Sequence, residues 1–207
     1  NMLILSIKLD FKLEKLIPSA AGLGGGSADA AAALVALNRV WGGERSRPDL
    51  LRIAGGLGAD VPFFLLGGAA LGAGRGDEVY PLEDTARLGI VIIKPSFGVA
   101  TADAYRWLDE DRARGVSDPP GAGPEVEIGW AHGPVALLND LEAPVARRHP
   151  GVGEMVAACR REGALGAAMT GSGSAVFGLF SELAGSKAAR RLRRPDWQVV
   201  ATRTLSR

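Results

Sequence analysis

Pro18-Ser19-Ala20-Ala21-Gly22-Leu23-Gly24-Gly25-Gly26-Ser27-Ala28-Asp29-Ala30-Ala31 is the stretch on which the reading of this chain turns. Before it, Ile7, Leu9, Phe11 and Leu13 alternate with Lys8, Asp10, Lys12 and Glu14, and this period of two predicts a strand over 7–15 with one buried face. After it, Ala30, Leu34, Leu37 and Trp41 fall on one helical face, and Gly42-Gly43 ends the helix. A glycine loop that opens a helix presents unpaired N–H groups and the positive end of the helix dipole, a setting in which phosphate oxygens can be cradled. It is not a Walker loop, because no Lys-Ser or Lys-Thr closes it, and Ser27 stands where the third glycine of a Rossmann fingerprint belongs. The plainer alternative is a glycine-rich helix start with Ser27 as its cap.

Composition narrows the classes around that loop. At 207 residues the chain is one large domain or two small ones, and its 47% hydrophobic and 23% charged residues describe a globular protein, not a disordered one. Glycine, at 29 residues, is about twice its ordinary usage, which implies tight turns or close backbone approach to a ligand. A net charge of +1 gives no field for a nucleic-acid duplex or an anionic membrane, so the expected partner is a small molecule. The single Cys159 rules out an internal disulfide, and with only His132 and His149 it builds no four-ligand zinc site, so no protein-held metal is expected. No apolar run reaches membrane-spanning length and Met2 to Leu5 is too short for a signal-peptide core, so a soluble, cytoplasmic protein is expected.

Farther along, Ser46 and Pro48 open a short helix expected to end at Gly55-Gly56. Residues 69–82 read as a hairpin around Gly74-Arg75-Gly76-Asp77, and Gly89 to Ile93 as the first strand of a second unit. A helix is expected from Thr101 to Asp109 and a surface loop from Asp111 to Gly129, where three prolines and four glycines gather. Helices at 134–142 and 153–162, strands at 167–170 and 174–180, a helix at 185–194 and a strand at 197–204 complete an order that resembles a ferredoxin-like α+β sandwich. The boundary falls near 83–89, giving units 1–86 and 87–207.

Three further features admit two readings each. Asp60, in Leu57-Gly58-Ala59-Asp60-Val61-Pro62, is either a carboxylate that favours a helix start or a general base at a chain turn. Thr170-Gly171-Ser172-Gly173-Ser174 is either a ligand loop or a tight hairpin, and it lacks the Gly-x-Ser-x-Gly spacing of a nucleophile elbow. Arg190, Arg191, Arg193 and Arg194 carry no interleaved aromatics and read as a solvated helix face, with RNA binding as the alternative.

Taken together, Pro18-x3-Gly22-Leu23-Gly24-Gly25-Gly26-Ser27-Ala28-Asp29-Ala30-Ala31, Gly58-Ala59-Asp60-Val61-Pro62-Phe63-Phe64, Asn139-Asp140-Leu141-Glu142 and Gly171-Ser172-Gly173 resemble the motifs of the GHMP kinases, over about Lys15 to Phe180. The triple glycine favours the branch whose acceptor is 4-diphosphocytidyl-2-C-methyl-D-erythritol over the homoserine and mevalonate branches. The resemblance implies an α+β, two-lobe fold whose second lobe is the ferredoxin-like sandwich, with ATP between the lobes, Mg²⁺ assisting, and the γ-phosphoryl group passing to the acceptor's 2-hydroxyl. It implies Asp60 as the catalytic residue and Pro18, Ala20, Ala21, Gly22, Leu23, Gly24, Gly25, Gly26, Ser27 and Ala28 as the ATP site. Asp60, Thr101, Tyr105, Gly171 and Ser172 would hold the acceptor, Tyr105 against the cytosine ring. The alternatives are another GHMP kinase, acting on a sugar or homoserine, and a nucleotide-binding module without catalysis. A monomer and a homodimer are both compatible with it.

Family members begin with a strand bearing a Pro-Ala-Lys-like motif, followed by an Asp-Gly-Tyr-His-like segment, and neither occurs here. The expectation is a first lobe lacking its upstream part and a chain that is a weak kinase as it stands. Lys15, beside the phosphate loop, is expected to face solvent or phosphate and not Asp60.

Overall fold

In the computed structural model, residues 9–43, 45–84, 87–116 and 137–205 are described. Three helices open the fold: α1 (Gly25–Val40), α2 (Arg47–Leu57) and α3 (Val61–Leu66). Ser46 caps α2 by accepting the Asp49 N–H, and Pro48 sits in the first turn, where its missing N–H costs no hydrogen bond. Gly55 and Gly56 do not end this helix. It runs through them to Gly58, because Ala54, fully buried between the helices, holds that turn in place. Strands β1 (Ala70–Ala73) and β2 (Glu78–Pro81) form the expected hairpin, with Ala73 opposite Glu78.

Strand β3 (Leu88–Pro95) begins the second unit, followed by α4 (Thr101–Ala113), α5 (Glu142–Arg148), α6 (Gly151–Arg161), β4 (Gly166–Met169), β5 (Val176–Ser181), α7 (Ala184–Arg191) and β6 (Trp197–Arg203). The sheet is antiparallel with the order β4-β5-β3-β6, which is the split βαβ arrangement of a ferredoxin-like sandwich. Val91 and Ile93 of β3, Val176 and Phe180 of β5, and Met169 of β4 bury one sheet face against Ala104 and Leu108 of α4, Val145 of α5, Met155 and Cys159 of α6 and Ala188 of α7. Burial pushes the Cys159 thiol up to about 11, which fits a packing role.

Three further expectations fail. Residues 9–15 form no strand, and Leu9, Phe11 and Leu13 are exposed; alternation makes a strand only where a neighbour takes its backbone hydrogen bonds, and no described strand pairs with this segment. The helix expected at 134–142 instead starts at Glu142, since Pro144 belongs in a first turn. Its residues 137–139 have no regular structure and 140–141 form a turn, and 134–136 lie outside the described residues. The loop expected from Asp111 starts later, because α4 continues to Ala113 with Asp111 buried beneath Arg147 and Arg148. Residues 117–129 are likewise outside the described set. The Arg190–Arg194 run lies on the surface, where Arg191 meets Glu162 and Arg194 meets Glu154.

Candidate active site

The glycine loop turns into α1 at Gly24, whose left-handed φ of 65° is open to glycine without strain. No side chain caps this end, so Ser27 lies inside the first turn and the plain cap reading does not hold. The N–H groups of Gly25, Gly26 and Ser27 therefore have no carbonyl one turn back and open into the cleft that these residues line. A Cβ on Gly26 would meet nothing within 4 Å, so there is room in front of the helix end.

The preceding turn is held from the second unit. Ala175 N–H donates to Ala21 O at 3.1 Å, Val99 N–H to Ala20 O at 3.4 Å, and Thr170 Oγ1 to Gly22 O at 2.8 Å. Gly22 lies so close to the 170–173 turn that a Cβ there would stand 2.0 Å from Thr170 O. The two glycine loops, 148 residues apart, are thus one interlocked structure.

Asp60 is the residue before α3, and its carboxylate makes no capping hydrogen bond, so the helix-start reading does not account for it. It is exposed and lines the same cleft. Among the described residues no Lys or Arg lies within salt-bridge distance of it. Thr101 Oγ1 and Ser172 Oγ, which line the same cleft, share a hydrogen bond of 2.9 Å, and Tyr105, one turn along α4, is exposed.

The cleft, of about 1310 Å³, brings together Pro18, Ala20 to Ser27, Asp60, Thr101, Tyr105, Gly171 and Ser172. Ala28 is not among its lining residues; its N–H is spent on Gly24 O within the helix. Ala21 reaches the cleft by its backbone, since it is 1% exposed.

The sequence reading did not place Asp29, Arg112 and Asn139 in the site. Lys15 lines the cleft with its ammonium 2.6 Å from Asp29, and Arg112 lies 3.6 Å from Asp140. Asn139 donates from Nδ2 to Met169 O and to Gly171 O, both at 2.8 Å, and accepts the Leu141 N–H at 3.0 Å. Asn139 stands in the Asn139-Asp140-Leu141-Glu142 motif of the resemblance, but a helix expected over 134–142 gave no reason to turn its side chain to the site. Among the described residues no three His, Cys, Asp or Glu side chains gather as a metal site. No described helix is long and apolar enough to cross a membrane.

Residues 3–68 match the profile of the GHMP kinases N terminal domain and residues 117–195 that of the GHMP kinases C terminal. The 4-diphosphocytidyl-2-C-methyl-D-erythritol kinase of Pelotomaculum thermopropionicum is 44% identical over 199 residues, which is 95% of this chain and 69% of the relative. That of Clavibacter michiganensis subsp. michiganensis is 42% identical over 83% of this chain, which spans only 59% of its length. A crystal structure of 4-(cytidine 5'-diphospho)-2C-methyl-D-erythritol kinase superposes with a TM-score of 0.74 at 35% identity, covering 92% of this chain and 68% of the other. A homoserine kinase from Cytophaga hutchinsonii, 22% identical with a TM-score of 0.71 and covering 93% of this chain and 68% of its own, shares the fold.

Proposed function

Because the chain belongs to the GHMP kinases, in the 4-diphosphocytidyl-2-C-methyl-D-erythritol kinase branch, we propose that it transfers the γ-phosphoryl group of ATP to the 2-hydroxyl of that diphosphocytidyl polyol. The observation that carries this reading is the convergence, on one cleft, of an uncapped helix N-terminus, a carboxylate with no capping role, the Thr101 and Ser172 hydroxyls and the Tyr105 ring. Gly22 to Ser27 receive the phosphates by backbone N–H groups, which positions the donor and stabilises charge without covalent chemistry. Asp60 orients the acceptor hydroxyl and takes its proton. Tyr105 packs on the cytosine, and Thr101 with the Gly171-Ser172 turn holds the polyol end.

Mg²⁺ accompanies ATP. It would be carried chiefly by the phosphates, with Ser27 and Asp29 as the oxygen ligands that the cleft offers, since among the described residues no three His, Cys, Asp or Glu side chains gather as a metal site. Bound there, it would neutralise charge on the β- and γ-phosphates. The division into units 1–86 and 87–207 is part of this reading, with donor and acceptor meeting between them. So are a cytoplasmic setting, a small-molecule substrate without nucleic acid or membrane, and action as a monomer or homodimer.

Transfer of label from γ-labelled ATP to the diphosphocytidyl polyol tests the reaction, with homoserine and a sugar as competing acceptors. Turnover should be confined to the first acceptor and fall about 10²- to 10⁴-fold in Asp60→Asn. Preferential phosphorylation of homoserine or the sugar would overturn the acceptor assignment, and ATP binding without turnover of any acceptor would favour a binding module.

A further inference from the structure

Asn139 spends the amide nitrogen of its side chain on the second glycine loop and its amide oxygen on the Leu141 N–H. Both carbonyls that its Nδ2 holds belong to the segment that meets the phosphate loop: Met169 ends β4, and Gly171 follows Thr170. Glu142, one residue beyond Leu141, accepts the Met169 N–H at 2.7 Å, so the 139–142 segment grips this turn from both sides of its backbone. Thr170, between the two held carbonyls, is the residue whose hydroxyl donates to Gly22 O and whose carbonyl leaves no space for a Cβ on Gly22. Gly171, at φ 52°, would carry a Cβ only 3.2 Å from Gly22 O. The contact is therefore close on both sides, and small rotations of the 169–171 peptides pass directly into Gly22.

We infer that Asn139 is a positioning residue for ATP: by fixing the carbonyls of Met169 and Gly171 it fixes Thr170 against Gly22, and so sets the aim of the N–H groups that follow. The inference rests on the phosphate-loop reading above. Asn139 is only half-buried and lies outside the helices and strands, so its bonds hold a loop and not the sheet core. The hydrogen bond to the carbonyl of the buried Met169 is costly to replace with a group that cannot donate.

The test is calorimetric titration of the 207-residue chain and two variants with ATP, at pH 7.5 and at pH 5.5. Asn139→Asp keeps the shape but points a carboxylate at two carbonyl oxygens, and its ATP Kd at pH 7.5 should rise at least tenfold with thermal unfolding near that of the parent. Wedged between those oxygens, the new carboxyl titrates above its ordinary value of about 3.9. At pH 5.5 its neutral form donates to one carbonyl again, and the variant-to-parent ratio should shrink to threefold or less. Among the described residues Glu142, Asp140 and Arg112 are charged groups near this position, and all are present in the parent, whose own pH profile is the baseline. Thr170→Val breaks the next link without adding a titratable group, and should weaken ATP binding equally at both pH values; it carries the test if Asn139→Asp does not fold. Parental ATP affinity at pH 7.5 in both variants would overturn the positioning role while leaving the phosphate loop in place. Failure of the parent to bind ATP would overturn both.

Discussion

The two halves of this molecule bury their apolar residues to different extents. In residues 87–205 a four-stranded sheet and its helices enclose a continuous core that includes Phe180, Ile93 and Met155, all with no exposed surface. In residues 9–84 the buried cluster is Ala31, Ala54 and Val61, while Leu13, Leu16, Val40, Trp41 and Leu57 are each at least half exposed. Yet the weakly buried half carries the glycine loop and Asp60 of the proposed site. The site is held less by the lobe that carries it than by the loops that clamp it from the other, through Ala21, Gly22 and their partners Ala175 and Thr170.

The sharpest way to break this contrast is to cut each core in turn. Phe180→Ala should cost about 3 to 5 kcal/mol, whereas Val61→Ala should cost about 2 kcal/mol at ~0.8 kcal/mol per buried carbon. Denaturant melts of both variants measure this, and equal losses would mean that the two halves share one core. Next in size are the glycines of the clamp. Gly22→Ala should loosen the loop and abolish measurable ATP binding, since its Cβ collides with Thr170 O and its φ of 71° is strained for alanine. Gly26→Ala, in open space, should fold as the parent does and lose ATP affinity at least tenfold if the phosphates occupy that space. Thermal unfolding beside calorimetry separates the two effects, and parental ATP affinity in Gly26→Ala would move the phosphates elsewhere.

Tyr105→Ala probes the proposed acceptor side of the cleft. Loss of a ring against cytosine should raise the acceptor KM by an amount worth about 1 to 3 kcal/mol and leave the ATP KM unchanged. A change in the ATP KM alone would move Tyr105 to the donor side of the cleft. The smallest effect concerns pH. Arg148, and after it Arg147, hold the Asp111 carboxyl well below the usual carboxylate range. Its folded pKa lies below the unfolded one, so its contribution to stability is present above about pH 4 and fades as pH falls below that. Acid melts of Asp111→Asn should show a shallower loss over that window than the parent, with the difference confined to the second half. Identical acid profiles would show that this cluster contributes no pH-dependent stability.

Much of the second half was legible from local pattern. The apolar run at 89–93, the glycine turn at 171–173 and the closing strand at 197–204 each match an element of the sheet. The failures have physical causes. Leu9, Phe11 and Leu13 carry strand periodicity, but a strand is made by its partner, which no local pattern supplies. Residues 137–141 do not join a helix because Asn139 gives its amide to Met169 and Gly171, and a side chain that bonds distant backbone competes with helix formation. Gly55 and Gly56 looked like a stop, yet packing on Ala54 outweighs a glycine penalty of about 1 kcal/mol each.

The candidates for the site were visible as residue types and spacings: glycines where an anion would need close approach, and a carboxylate between a turn and a Pro-containing helix start. Those are properties of a residue and its nearest neighbours, so the sequence alone determined them. What supports the site was decided only in three dimensions. Thr170 against Gly22, Ala175 against Ala21, Asn139 on Gly171 and Lys15 beside Asp29 pair groups 14 to more than 140 residues apart. A hydrogen bond depends on where two atoms stand, and those distances are set by the packing of the sheet and helices between them, which no local period encodes.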